Sequence, residues 1–273
     1  MKSILVFGGT TEGRKSIEAL EEAGSLFYYS TKTGEQDITL HHGIRVDGAM
    51  DEEAMLQFCQ SHEVGLLVDA AHPFAEVLHR TVAKVAEKLH LPAIRFERIF
   101  PSRDKDIVWL SGYEEAVQTI RKKTLLATTG VQSISKLKPL EAQGVRVTYR
   151  ILPRESSIQS AHRQGATDDQ LCYYHEGEDE RTILQDLKPD AILLKESGET
   201  GGFTEKVRAA KELGIPVYVL KRPETPAIFH RVNGEHGLRR MVEKLLPEFY
   251  PLHSGLTTGT CATAAALAAT SGR

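Results

Sequence analysis

The chain has 273 residues, 41% of them hydrophobic and 26% charged, a balance that excludes a disordered or collagen-like protein and allows one large domain or two of ordinary size. A formal net charge of −3 gives no overall basic surface, so nucleic acid is not an expected partner and an anionic ligand must be held by a local cluster. Cys59, Cys172 and Cys261 stand far apart with neither disulfide nor metal-ligand spacing, and no apolar run reaches the ~20 residues that span a bilayer; the expectation is a metal-free cytoplasmic protein with no membrane anchor.

In chain order, Ile4 to Phe7 is too short an apolar stretch for a signal peptide and reads as a buried first strand. Strands follow near Leu26–Ser30, Gly65–Asp69 and Ala93–Phe96, with helices near Glu12–Ala23, Glu52–Gln60 and Pro73–Leu89. A polar break at Pro101–Lys105 separates a second series, with strands near Leu125–Thr128, Val145–Ile151, Ala191–Lys195 and Pro216–Leu220 and a helix over Phe203–Leu213. Leu238, Met241, Val242 and Leu245 mark a last helix, and Pro247–Pro251 a second break. Apolar runs alternating with amphipathic segments define an α/β fold with mainly parallel sheets. The expected units are two Rossmann-like domains, residues 1–102 and 103–250, followed by a separate tail at 251–273.

Gly8-Gly9-Thr10-Thr11-Glu12-Gly13-Arg14 follows the first strand and opens a helix, where a dinucleotide fingerprint sits. Thr10 replaces the glycine that lets backbone approach a pyrophosphate, so the phosphate contact is expected to be looser or displaced; a purely structural glycine turn is the competing reading. Ser30-Thr31-Lys32-Thr33 stands where NAD-specific enzymes carry an acid, and its hydroxyls and lysine suit a 2′-phosphate. Asp69-Ala70-Ala71-His72-Pro73-Phe74-Ala75 ends another strand. Pro73 at the first helical position places His72 at the cap, where the dipole favours a neutral ring able to relay a proton; a histidine that only caps or packs competes. Thr128-Thr129-Gly130 and Lys195-Glu196-Ser197-Gly198 are small-residue loops whose backbone N–H groups can face a phosphate or carboxylate. His41-His42 lacks the companions of a metal site, and Lys206, Arg208 and Lys211 read as a solvated helix face.

Together these segments, with Ile94-Arg95-Phe96-Glu97-Arg98, Ile215-Pro216-Val217 and Lys221-Arg222-Pro223, resemble the precorrin-6A reductase family over roughly Met1 to Leu246. The resemblance implies a cleft between two Rossmann-like domains that holds NADPH, or NADH, against a polycarboxylate tetrapyrrole, with or without cobalt, and hydride transfer to the macrocycle. It implies cofactor contacts from Gly8, Gly9, Thr10, Thr11, Ser30, Thr31, Lys32, Thr129, Gly130, Ser197 and Gly198. It also implies substrate contacts from Arg14, Arg95, Lys195 and Arg222, with His72 as the candidate for proton delivery. His253 to Ala266 resembles the opening of the cobalt-precorrin-5B C1-methyltransferase family, which implies a natural fusion of which only the start is present. A generic NAD(P)-dependent dehydrogenase of a small molecule, and a non-catalytic tetrapyrrole or dinucleotide-binding module, are the rival readings.

Overall fold

The computed structural model describes residues 2–34 and 36–251; the expected methyltransferase-like stub lies, apart from Pro251, outside the described residues. The first series runs β1 (Ser3–Phe7), α1 (Thr11–Glu21), β2 (Phe27–Thr31), β3 (Gly43–Asp47), α2 (Glu52–Ser61), β4 (Val64–Asp69), α3 (Glu76–Leu89) and β5 (Ala93–Glu97). The second runs β6 (Val108–Leu110), α4 (Tyr113–Thr119), β7 (Thr124–Ala127), α5 (Ile134–Ala142), β8 (Arg146–Ile151), α6 (Glu155–Arg163), β9 (Leu171–Tyr173), α7 (Glu180–Leu187), β10 (Ala191–Lys195), α8 (Phe203–Glu212) and β11 (Val217–Leu220). The chain ends with β12 (His230–Asn233) and α9 (Gly234–Leu245). Two six-stranded sheets result, in the orders β3-β2-β1-β4-β5-β12 and β9-β8-β7-β10-β11-β6, with every pairing parallel. Helices cover both faces, so the central strands β1, β2 and β4 are buried along their whole length, which is why they read as unbroken apolar runs.

The last strand does not stay with its series. β12 pairs with β5 of the first sheet, and α9 packs Leu238 and Val242 against Ile4, Val6 and Leu20. Residues 230–245 therefore belong with the first sheet, in place of the expected continuous unit 103–250, and the chain crosses between sheets twice, through residues 98–107 and 221–229. Burial drives the return: without α9 and Phe249, that face of β1 and β5 would be open to water. Glu196 ties the two crossovers together. Its carboxylate accepts from Arg103 Nε and Nη2 at 3.1 and 2.9 Å, from Arg222 Nη1 at 2.8 Å and from the Arg222 backbone N–H at 3.0 Å.

The helix expected from Pro73 begins three residues later, at Glu76, with Ala75 as its cap. Buried side chains claim the intervening carbonyls instead. Arg95 donates to Asp69 O and Ala71 O at 3.1 and 2.9 Å, and His79 Nε2 lies 3.3 Å from Pro73 O. Residues 70–74 consequently form a pinned loop, and His72 stands in it and not at a helix cap. Among the described residues no helix is long and apolar enough to cross a membrane.

Candidate active site

In open parallel sheets ligands bind beyond the carboxyl ends of the strands, where the strand order reverses. The reversal lies between β1 and β4 in the first sheet and between β7 and β10 in the second. The loops leaving those four strands are Gly8–Thr10, Ala70–Ala75, Thr128–Gly130 and Glu196–Gly202, so topology gathers the motifs singled out in the sequence into one corner per sheet, and the contacts of Lys195 with Phe74 and of Arg98 with Ser197 join the two.

The corner at β1 is filled by protein. A Cβ on Gly8 would stand 2.0 Å from the Tyr29 hydroxyl and one on Gly13 2.4 Å from it; both glycines make room for this fully buried ring. The hydroxyl accepts from Gly9 N at 3.1 Å and donates to Gln36 at 2.7 Å. Thr10 caps α1, accepting from Gly13 N at 3.0 Å while donating to Ala70 O at 2.7 Å. Glu12, buried in the first turn, supplies the anion that the helix dipole favours. Its two oxygens accept from Arg98 Nε at 2.8 Å and Thr200 Oγ1 at 2.5 Å. Arg98 also donates to Ser197 O at 2.8 Å, which joins α1 to the loop after β10.

At β4, Asp69 is fully buried between Arg95 and His79, with contacts of 2.7 and 2.5 Å. Burial alone would raise its pKa; the two cationic neighbours outweigh it and hold the carboxyl below the usual range. His72 accepts from Phe74 N through Nδ1 at 3.2 Å, which leaves the proton of a neutral ring on Nε2. Burial, then the positive fields of Arg98, Lys195, Arg95 and His79, pull its pKa down to about 3. His72 is thus a neutral hydrogen-bonding ring near pH 7. Burial, followed by the surrounding cations, sets this state in place of the cap dipole expected from the sequence, and both disfavour an imidazolium proton donor.

The corner of the second sheet is open. A cavity of about 510 Å³ spreads over the ends of β7, β8 and β10, with His72 reaching over its rim from the first sheet. Its floor at β7 is braced by Thr129, whose hydroxyl meets Ser133 at 2.6 Å, and Gly130 takes a φ of 82° that only glycine adopts readily. Three cations line it. Arg150 is paired with Glu178 at 3.0 Å and Glu180 at 2.5 Å, Lys206 with Glu180 at 3.2 Å, and both stand over the Tyr174 ring. Lys195 has no carboxylate partner among the described residues. Its ammonium lies 5.1 Å from the centre of Phe74, and burial followed by repulsion from Lys136 pulls its pKa down to about 8.

Of the residues expected at a site, His72, Thr129, Gly130, Lys195 and Ser197 line this cavity. Arg95 and Arg222 do not: the first is closed into the Asp69 ion pair, the second into Glu196 and the Phe100 ring. Arg14 is exposed on α1 beside Tyr29. Gly198 packs against Ile99 O, 2.9 Å from where its Cβ would be, and so serves the contact between domains. Gly8, Gly9, Thr10, Thr11, Ser30, Thr31 and Lys32 gather at the first sheet's own edge. There Thr31 donates to Asp47 at 2.9 Å, so the acid that is missing after β2 stands at the end of β3. Arg150 and Tyr174 were not singled out in the sequence, and Lys206 read as solvated. The available signal was an arginine inside an apolar strand, as in Tyr149-Arg150-Ile151, which demands a carboxylate partner.

Two parallel six-stranded sheets, with a cavity at the strand reversal of the second that His72 of the first helps to line, define an α/β protein of dinucleotide-binding topology. A family model described as precorrin-6x reductase CbiJ/CobK matches residues 3–237, and the chain belongs to this family, whose members are oxidoreductases. It is 29% identical over 250 residues to a cobalt-precorrin-6A reductase of Methanothermobacter thermautotrophicus, covering 85% of this chain and 81% of that one. It is 30% identical over 233 residues to that of Priestia megaterium, covering 81% and 91%. The solved structure of CobK precorrin-6A reductase superposes with a TM-score of 0.74 at 19% identity, over 90% of this chain and 98% of that one, and shows the shared fold.

Proposed function

We propose that the protein reduces precorrin-6A, in its cobalt-bound form, to the corresponding precorrin-6B in cobalamin biosynthesis, with NADPH or NADH as the hydride source. The carrying observation is the cationic cavity beneath His72. A polycarboxylate ring needs several fixed positive groups in one cleft, and Arg150, Lys195 and Lys206 converge there. The names of the relatives support the cobalt-bound substrate.

A nicotinamide dinucleotide fits the first sheet's edge in part. Gly9 is exposed with open space beside its backbone, and Lys32 and Thr33 are exposed at the end of β2, which suits the dinucleotide's ribose and 2′-phosphate. The start of α1 does not suit a pyrophosphate, because Thr10 and Glu12 already occupy it. Gly9, Thr11 and Lys32 would hold the cofactor, which supplies hydride when bound. The protein's own work is orientation: Arg150 and Lys206 fix ring carboxylates, and neutral His72 donates a hydrogen bond from Nε2 at the seam. A cytoplasmic location suits such a biosynthetic step, and the tail's likeness supports a natural fusion to a methyltransferase domain.

An anaerobic assay with cobalt-precorrin-6A, following NADPH and NADH absorbance separately, tests this. Oxidation of a nicotinamide in step with loss of the substrate's absorption band is the expected result. Binding of the tetrapyrrole without oxidation would indicate a carrier and overturn the proposal, as would turnover only of unrelated alcohols or ketones.

A further inference from the structure

We propose that Lys195 is the proton donor of the reduction, transferring its ammonium proton to the substrate carbon that neighbours the carbon receiving hydride. This rests on the function proposed above and adds a residue to it. Three observations lead there.

The first is position. Lys195 ends β10, at the strand reversal of the second sheet, yet its ammonium lies over Phe74, a ring carried by the first sheet's loop after β4. A ring held by one half and a dinucleotide held by the other meet at that seam. The second is availability. The other two cations of the cavity are held in place by ion pairs, Arg150 with Glu178 and Glu180 and Lys206 with Glu180, and Arg98 is held by Glu12. Glu196, next in sequence, is turned away to Arg103 and Arg222. The charged group acting on Lys195 is Lys136 from α5, and Lys195 in turn acts on neutral His72. The third is acidity: burial and Lys136 bring the ammonium to about 8, close to working pH, where a general acid is most effective. Arginine cannot fill this role because it does not release its proton.

The step balances. A hydride leaves the reduced nicotinamide for one carbon of a ring double bond, the Lys195 N–H bond breaks, and a new C–H bond forms at the adjacent carbon. The nicotinamide is oxidised by two electrons, the ring gains two hydrogens, and the neutral amine recovers its proton from water.

A carboxylate anchor and a proton donor respond differently to K195R, which keeps the cation and removes the acid. The expected result is a kcat lowered on the order of 100-fold, tetrapyrrole affinity by absorbance titration within a few-fold of the parent, and loss of the alkaline fall in kcat expected of the parent above about pH 8. In K195A, ethylammonium should restore part of the rate. Competitive acetylation of the unliganded chain across pH, read on the Lys195 peptide, should place the ammonium near 8, and this needs neither substrate nor activity. Normal kcat in K195R, or a loss confined to affinity, overturns the proposal while leaving precorrin reduction intact. A Lys195 that acetylates like an ordinary surface lysine overturns it even if neither variant folds. Failure of the parent enzyme to turn over cobalt-precorrin-6A overturns the function itself.

Discussion

The two strand-reversal corners are built from the same parts and put to opposite use. At β1, glycines open a space that Tyr29 fills, and the helix N-terminus is capped by Thr10 and neutralised by Glu12. At β7, Gly130 has nothing within 4 Å of where a Cβ would stand, and the cavity beside it is lined by Arg150, Lys195 and Lys206. A glycine-rich turn after a first strand is thus no guarantee of a phosphate site. What decides is whether a neighbouring strand sends a large side chain into the gap, and β2 does so through Tyr29.

The largest expected effect lies beneath the first corner. Asp69→Asn leaves Arg95 and His79 buried without their anion, a loss of about 3–5 kcal/mol in urea unfolding at pH 7. The folded carboxyl titrates below its ordinary range, so its contribution is complete above the unfolded aspartate pKa of about 3.9. That contribution disappears as pH falls through the folded value. The gap between parent and variant should therefore close in acid. A cost under about 1 kcal/mol at pH 7 would contradict the buried ion-pair account.

Next come the glycines. Gly8→Ala drives a Cβ into a fully buried tyrosine and should cost about 1–3 kcal/mol, most of it recovered in a Tyr29→Leu background, where the ring is gone. Gly130→Ala meets no atom within 4 Å and is opposed only by its backbone conformation, at about 1–3 kcal/mol, so its cost should be the same in either background. A double-mutant cycle reads the difference. Equal coupling for both glycines would mean that the two corners are not packed differently.

The parts of this architecture that sequence reveals are the central strands. β1, β4, β7 and β10 are buried runs whose apolar character needs no partner to be seen, and their loops follow. Strands β6 and β9 have three residues each, and β3 and β12 are edge strands of mixed polarity with partly exposed patterns, so periodicity gives no signal. The site was legible as loops but not as roles. Whether an arginine is free or committed depends on a carboxylate far along the chain: Asp69 for Arg95, Glu196 for Arg222, Glu178 and Glu180 for Arg150. Lys206 looked solvated because Glu180 and Tyr174 reach it only through folding.

His72 lines the second sheet's cavity from the first sheet's loop, and its titration reports its burial there among Arg98, Lys195, Arg95 and His79. In the unfolded chain the ring binds a proton below about 6.5; in the folded chain burial and four neighbouring cations delay this to about 3. Between those values the unfolded state holds more protons, so stability falls as pH drops from about 6.5. This is opposite to the behaviour of a histidine that gains an anionic partner. His72→Gln keeps a hydrogen-bonding side chain and removes the titration. Between pH 7 and 5 the parent should lose about 1–2 kcal/mol more than the variant, a range in which Asp69 stays ionised and adds no slope. Urea unfolding at the two pH values measures it. Parallel losses in both proteins would mean that the ring charges freely, and that neither burial nor the neighbouring cations hold it neutral.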